Sequence, residues 1–183
     1  TSMIKDWRDK LENKDLPFFI VQLANFMESK EIQPDSEWAA LREAQTKALK
    51  LDQVGMAVTI DIGLADDIHP KNKQEVGRRL ALVALVGSYG KNVSGSAPVF
   101  RNYRIKGDKM ELDFGQKQDG FQIKGTTLKG FTIAGPDRVF YPAEAMVQNG
   151  KIIVFSPEVS IPLAARYGWA DNPDCNLYGE NGL

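Results

Sequence analysis

Val54-Gly55-Met56-Ala57-Val58-Thr59-Ile60-Asp61-Ile62 is the stretch on which the fold of this 183-residue chain turns. It is almost continuously apolar, rich in β-branched residues, and short for a helix. Such a run fits a strand buried on both faces of a parallel sheet. The flanking sequence agrees. Upstream, Pro17-Phe18-Phe19-Ile20-Val21-Gln22-Leu23-Ala24 is a second run of the same kind. Between the two, Asp35 or Ser36 can cap a helix whose apolar positions are Trp38, Leu41, Ala44, Ala48 and Leu49. Downstream, Asn72 can cap a longer helix with Val76, Leu80, Val83, Ala84 and Val86 at helical intervals, closing at Gly87–Gly90. A short amphipathic helix with Met3-Ile4, Trp7 and Leu11 opens the chain. Strand, helix, strand, helix predicts an α/β fold with a parallel sheet and right-handed crossovers.

The pattern changes near Ser94-Gly95-Ser96-Ala97-Pro98. Beyond it the helical period disappears and short alternating runs follow: Tyr103-Arg104-Ile105, Lys109 to Phe114, Gly130 to Ala134, and Lys151 to Phe155. Turn residues separate them at Gly107-Asp108, Asp119-Gly120, Gly135-Pro136-Asp137 and Asn149-Gly150. That spacing predicts an antiparallel meander or sandwich, and Asn149-Gly150 is a strong two-residue hairpin signal. The expected division is therefore an α/β region over residues 1–95 and a β-rich region over residues 96–183.

Charge and composition narrow the partners. Lys and Arg number 23 against 24 Asp and Glu, a formal net charge of -1, so nothing steers the chain to nucleic acid or an anionic membrane. No apolar run approaches the ~20 residues that span a bilayer. A single cysteine, Cys175, forbids an internal disulfide, and nothing basic near it lowers its pKa. A single histidine, His69, with no Cys/His spacing of the zinc type, leaves no expectation of a metal site or cofactor. Gly125, Gly130 and Gly135 are evenly spaced, but no Gly-Lys-Ser/Thr follows, so they read as strand punctuation rather than a phosphate loop.

The chemistry concentrates in Asp61-Ile62-Gly63-Leu64-Ala65-Asp66-Asp67-Ile68-His69-Pro70-Lys71-Asn72-Lys73. This loop follows a parallel strand, the edge where open α/β sheets place ligands. An imidazole behind two carboxylates suits the base half of a hydrolytic triad, because it accepts and returns a proton near neutrality. A carboxylate on its other nitrogen selects the tautomer and stabilises the imidazolium. A lone histidine in an acidic loop is, on local chemistry alone, more often structural or exposed than catalytic.

Five ordered blocks shift that balance. They are Ile4-Lys5-Asp6-Trp7-Arg8; Leu16-Pro17-Phe18 through Val21-Gln22-Leu23-Ala24; Trp38-Ala39-Ala40-Leu41-Arg42-Glu43-Ala44-Gln45; Asp67-Ile68-His69-Pro70 through Val76-Gly77-Arg78-Arg79-Leu80-Ala81; and Arg166-Tyr167-Gly168-Trp169 with Asn176-Leu177-Tyr178. Together they resemble the sialate O-acetylesterases and related carbohydrate acetylesterases. The resemblance implies the C-terminal part of an SGNH-type α/β/α hydrolase domain over residues 1–95, followed by a β-rich, sandwich-like region whose tail returns to the hydrolase domain. It implies removal of acetyl esters from sugar hydroxyls through a serine nucleophile, with His69 as general base. The general SGNH pattern places the acid three residues earlier, at Asp66; the acetylesterase run places it two earlier, at Asp67. Because residues at i and i+3 in a turn meet more readily than i and i+2, Asp66 is favoured. Gly63-Leu64 departs from the Gly-Asp of many relatives and leaves the acid open.

The family's serine and oxyanion blocks do not occur here. The serines at 2, 29, 36, 88, 94, 96, 156 and 160 lie in no Gly-x-Ser-x-Gly turn. The resemblance therefore implies a longer protein, with an acetylated glycan as substrate and the missing N-terminal half as partner. It also implies a periplasmic or secreted location, and a chain inactive by itself. A non-catalytic carbohydrate-binding or accessory module is the competing reading. Arg166-Tyr167-Gly168-Trp169 reads as a sugar-lining segment or, preferably, as one whose Tyr167 and Trp169 pack the seam between the β-rich and α/β regions, and Trp7 and Trp38 read as core. Asn92-Val93-Ser94 is a glycosylation triplet that carries weight only in a eukaryotic secreted protein.

Overall fold

The computed structural model describes residues 1–116 and 120–183, so Asp119 of the expected turn at Asp119-Gly120 lies outside the described residues. Two compact units emerge. One comprises Thr1–Phe26 and Glu37–Ser96; the other comprises Met27–Ser36 and Ala97–Leu183.

In the first unit, α1 (Ser2–Lys10) precedes β1 (Phe18–Val21), α2 (Glu37–Thr46) runs into a 3-10 turn at Lys47–Lys50, and β2 (Val54–Ala57) precedes α3 (Lys73–Gly87). β1 and β2 pair in parallel from Phe18↔Val54 to Val21↔Ala57, as a crossover helix between them requires. The Asn72 side chain accepts the Glu75 N–H at 3.1 Å, so the N-terminus of α3 is capped by the residue whose chemistry suits it.

Two expectations change here. β2 stops at Ala57 instead of running to Ile62, because the next residues turn their polar groups elsewhere: the Val58 carbonyl accepts from Arg79 and the Thr59 hydroxyl donates to the Gln22 carbonyl. Trp7 is not core. Met3 and Trp7 of α1 and Leu11 at its C-cap are 60%, 53% and 59% exposed, while Ile4 is the buried residue of that helix. Trp7 meets Phe18 edge-on, at a ring-centre distance of 6.3 Å. Trp38 is half-buried, its indole N–H donating to the Ala24 carbonyl at 2.8 Å.

The second unit is antiparallel throughout its described pairings. β3 (Asn102–Lys106), β4 (Lys109–Asp113), β8 (Glu144–Gln148) and β9 (Lys151–Phe155) form a sheet in the order β3-β4-β9-β8. β6 (Phe131–Ala134), β7 (Phe140–Pro142) and β10 (Ala164–Tyr167) form a second in the order β10-β6-β7, and β5 (Phe121–Ile123) pairs with β11 (Leu177–Gly179). Alternation does the work: Met110 and Leu112 of β4, Ile152 and Val154 of β9, and Phe131 and Ile133 of β6 send their side chains into one cluster. Asn149 and Gly150 carry positive φ of 51° and 73° between the paired Gln148 and Lys151, the geometry of a two-residue I′ hairpin.

Residues 27–36 belong with this unit through specific polar contacts. The Gln33 side chain brackets Asp171, the Ser36 hydroxyl donates to Asp171 at 2.6 Å, and the Asn172 amide donates to the Met27 carbonyl at 2.7 Å. The C-terminal tail finds its described strand pairing inside the same unit, through β11 and β5.

Candidate functional site

The loop between β2 and α3, residues 58–72, carries every residue that the sequence singles out for catalysis. Its start is tied down by side chains. Gly63 donates its N–H to the Asn25 side-chain oxygen at 2.6 Å, and it lies so close that a Cβ there would meet the Asn25 carbonyl oxygen at 2.1 Å. Only glycine fits that approach. Arg79 of α3 forks onto both Asp61 oxygens at 2.6 and 2.9 Å and also donates to Glu75 and to the Val58 carbonyl.

Within the loop, Asp67 accepts the His69 backbone N–H at 2.9 Å, a local turn that a short carboxylate side chain favours. The same oxygen lies 3.4 Å from His69 Nδ1, an ion-pair distance once the ring is protonated but longer than a good hydrogen bond. The Asp67 pKa is lowered, first by the His69 backbone N–H and further by the His69 ring. The His69 side chain is 84% exposed.

Asp66 was the favoured partner by spacing, yet it is exposed and its carboxylate makes no hydrogen bond or ion pair among the described residues. The physical reason is the turn itself. By capturing the His69 N–H, Asp67 curls the chain so that i and i+2 meet on the inside of the bend. His69 and Asp67 are brought together; Asp66 is not.

Among the described residues no hydroxyl or thiol hydrogen-bonds to His69, and no group of three His, Cys, Asp or Glu side chains is placed to hold a metal ion. No helix of the described residues is long and apolar enough to cross a membrane.

The chain is similar to a solved carbohydrate acetylesterase from Xanthomonas citri. The two share 45% sequence identity and superpose with a TM-score of 0.91, covering 99% of this chain and 42% of that one. The fold described above is thus the fold of that region of the acetylesterase, and this chain spans less than half of its length. No family model matches the chain, and no curated protein matches it.

Two further segments bear on the reading. Tyr167 packs on Phe131 at 4.5 Å between ring centres and accepts the Leu177 N–H, and burial pushes its phenol pKa up. The Arg166 guanidinium stacks on Phe140 at 3.8 Å and on Trp169 at 4.2 Å, while Arg166 and the Trp169 indole both donate to the Pro34 carbonyl. Both aromatic residues are built into the packing of the second unit. What sequence reading missed was Arg79: it sits on the helix as one more charged residue, and nothing in its spacing announces that it is buried.

Proposed function

We propose that this chain is the histidine-bearing portion of a carbohydrate O-acetylesterase of the SGNH type. On this reading residues 1–95 belong to the hydrolase domain and residues 96–183 to its β-rich region. His69 is the general base and Asp67 the carboxylate that holds Nδ1, with Asp66 free to the solvent. A serine from the part of the protein outside this chain attacks the acetyl carbonyl and transfers its proton to His69 Nε2; the imidazolium then protonates the departing sugar oxygen, which leaves as the free hydroxyl. The resulting acetyl-enzyme is released by water, with His69 again taking the proton.

The observation that carries the reading is the 45% identity to a carbohydrate acetylesterase across 99% of this chain, which includes the histidine loop. The parallel pairing of β1 with β2 adds to it, because the loop then leaves the carboxyl end of a parallel strand, where α/β enzymes assemble their sites. The competing accessory-module reading has no use for that arrangement. The substrate proposed is an acetyl ester on a sugar hydroxyl, with 9-O-acetyl sialate as the finer expectation, and a periplasmic or secreted setting.

The test is hydrolysis of p-nitrophenyl acetate and of acetylated sugars by the full-length protein carrying His69→Ala. Removal of a general base lowers kcat by roughly 100- to 10,000-fold. Undiminished turnover would remove His69 from the mechanism. An open reading frame that begins at Thr1, with no serine block before it, would sink the esterase reading altogether.

A further inference from the structure

We infer that Arg79 is the positioning residue of the histidine loop: one guanidinium on α3 that ties the loop's entry to the helix into which the loop runs. This rests on the reading of His69 as a general base, but the geometry stands without it.

Loop residues 58–72 leave β2 and enter α3. On the entry side Arg79 holds the Val58 carbonyl at 2.8 Å and both Asp61 carboxylate oxygens at 2.6 and 2.9 Å. Within α3 it also holds Glu75, one turn earlier, at 2.7 Å, and the Glu75 N–H is the one that the Asn72 side chain accepts at the end of the loop. Glu75 also receives a two-nitrogen contact from Arg78, at 2.7 Å for each nitrogen, so two carboxylates and two guanidiniums balance in charge. The contacts of Arg79 point in three directions from a planar fork, a pattern that a lysine ammonium cannot reproduce.

Burial makes the arrangement informative. The Arg79 side chain is 7% exposed and that of Asp61 11%. An ion pair taken so far out of water is a weak source of net stability, since a well-packed apolar residue would serve folding as well or better. What the fork supplies is one orientation of the groups it joins. His69 needs that supply, because its exposed ring has little packing of its own and stands where the loop backbone puts it. A base misplaced by about 1 Å can cost on the order of a hundredfold in rate. The clasp also stays charged through neutral pH, as the hydrogen bonds from Arg78 and Arg79 hold the Glu75 pKa at about 2.

The experiment compares Arg79→Met, Arg79→Lys and Asp61→Asn in the full-length protein by hydrogen–deuterium exchange and steady-state kinetics. Peptides covering residues 58–72 should exchange about tenfold faster in both Arg79 variants, with β1, β2 and the second unit within about twofold of wild type. kcat on p-nitrophenyl acetate should fall at least about tenfold with KM within about threefold, the signature of a displaced base rather than a lost binding contact. Asp61→Asn keeps the side-chain shape and should move both readouts the same way by less; it decides the matter where an Arg79 variant does not fold. The inference is overturned by loop exchange that stays at wild-type rates, or by acceleration spread evenly over the first unit. It is equally overturned by an unchanged kcat in a protein whose activity His69→Ala abolishes. If His69→Ala leaves turnover intact, the general-base reading fails alone, and loop exchange still decides the role of Arg79.

Discussion

The two units of this chain solve the burial problem differently. In the second, the four- and three-stranded sheets line a cluster in which Ile133, Ile152 and Val154 are fully buried. In the first, the parallel pair has only four residues in each strand, and the buried apolar residues are mostly small: Ile4, Ala24, Ala39, Ala48, Met56, Ala57 and Val83. Parallel sheets are normally covered on both faces, and two such strands offer little to cover. The difference teaches where each unit gets its order. The second is held by apolar burial. The first depends on polar anchors: Gln22 on Arg42 and Thr46, Thr59 on Gln22, Asn25 on Gly63, and Arg79 on Asp61 and Glu75.

That contrast can be attacked from either side. The largest expected effect is on the closed core: Ile133→Ala should cost about 2–5 kcal/mol, read as a fall in the denaturation midpoint of the second unit. A loss under about 1 kcal/mol would mean that the core is not what holds this unit. Next comes Gly63→Ala, which drives a methyl group against the Asn25 carbonyl. It should destabilise the first unit by about 1–3 kcal/mol and displace the histidine loop, with the second unit untouched in hydrogen exchange.

Acid should separate the polar anchors of the two units more gently. Hydrogen bonds from Arg78 and Arg79 lower the Glu75 pKa from 4.5 to about 2, and those from Lys106 and Lys151 do the same for Glu111 of β4. A carboxylate whose folded pKa lies below its unfolded value contributes stability above the unfolded value, and loses it as pH falls toward the folded one. Both contributions should therefore be complete at neutral pH and fade between about pH 4.5 and 2. Denaturation followed over that window should lose part of its acid dependence in the first unit with Glu75→Gln, and in the second with Glu111→Gln. A swapped or absent response would break the comparison. The smallest effect is expected from Met3→Gln, at an exposed position of α1: within about 0.5 kcal/mol of wild type.

Much of this was legible in the sequence. The apolar runs at Phe18 and Val54, the helix started by Asn72 and the Asn149-Gly150 hairpin all appear where local pattern and turn chemistry put them. Several β strands were not legible, for identifiable reasons. Ala164-Ala165-Arg166-Tyr167 has no β-branched residue and becomes a strand because β6 pairs with it, and Leu177-Tyr178-Gly179 is made a strand by β5. The attachment of residues 27–36 to the second unit rests on contacts such as that between Ser36 and Asp171, more than 130 residues apart, which no local window contains.

The candidate site divides along the same line. Sequence by itself determined which histidine is in question, that it follows a strand and precedes a helix, and that two carboxylates stand beside it. These are properties of composition and short-range order, which neighbouring residues settle among themselves. Only tertiary structure decided that Asp67 rather than Asp66 faces the ring, that β2 ends at Ala57, and that Arg79 is buried against Asp61. The last two depend on where a side chain from another element finds its hydrogen-bond partner, and the first on which carboxylate captures the His69 N–H as the loop bends. Spacing along the chain does not encode that choice; the folded backbone makes it.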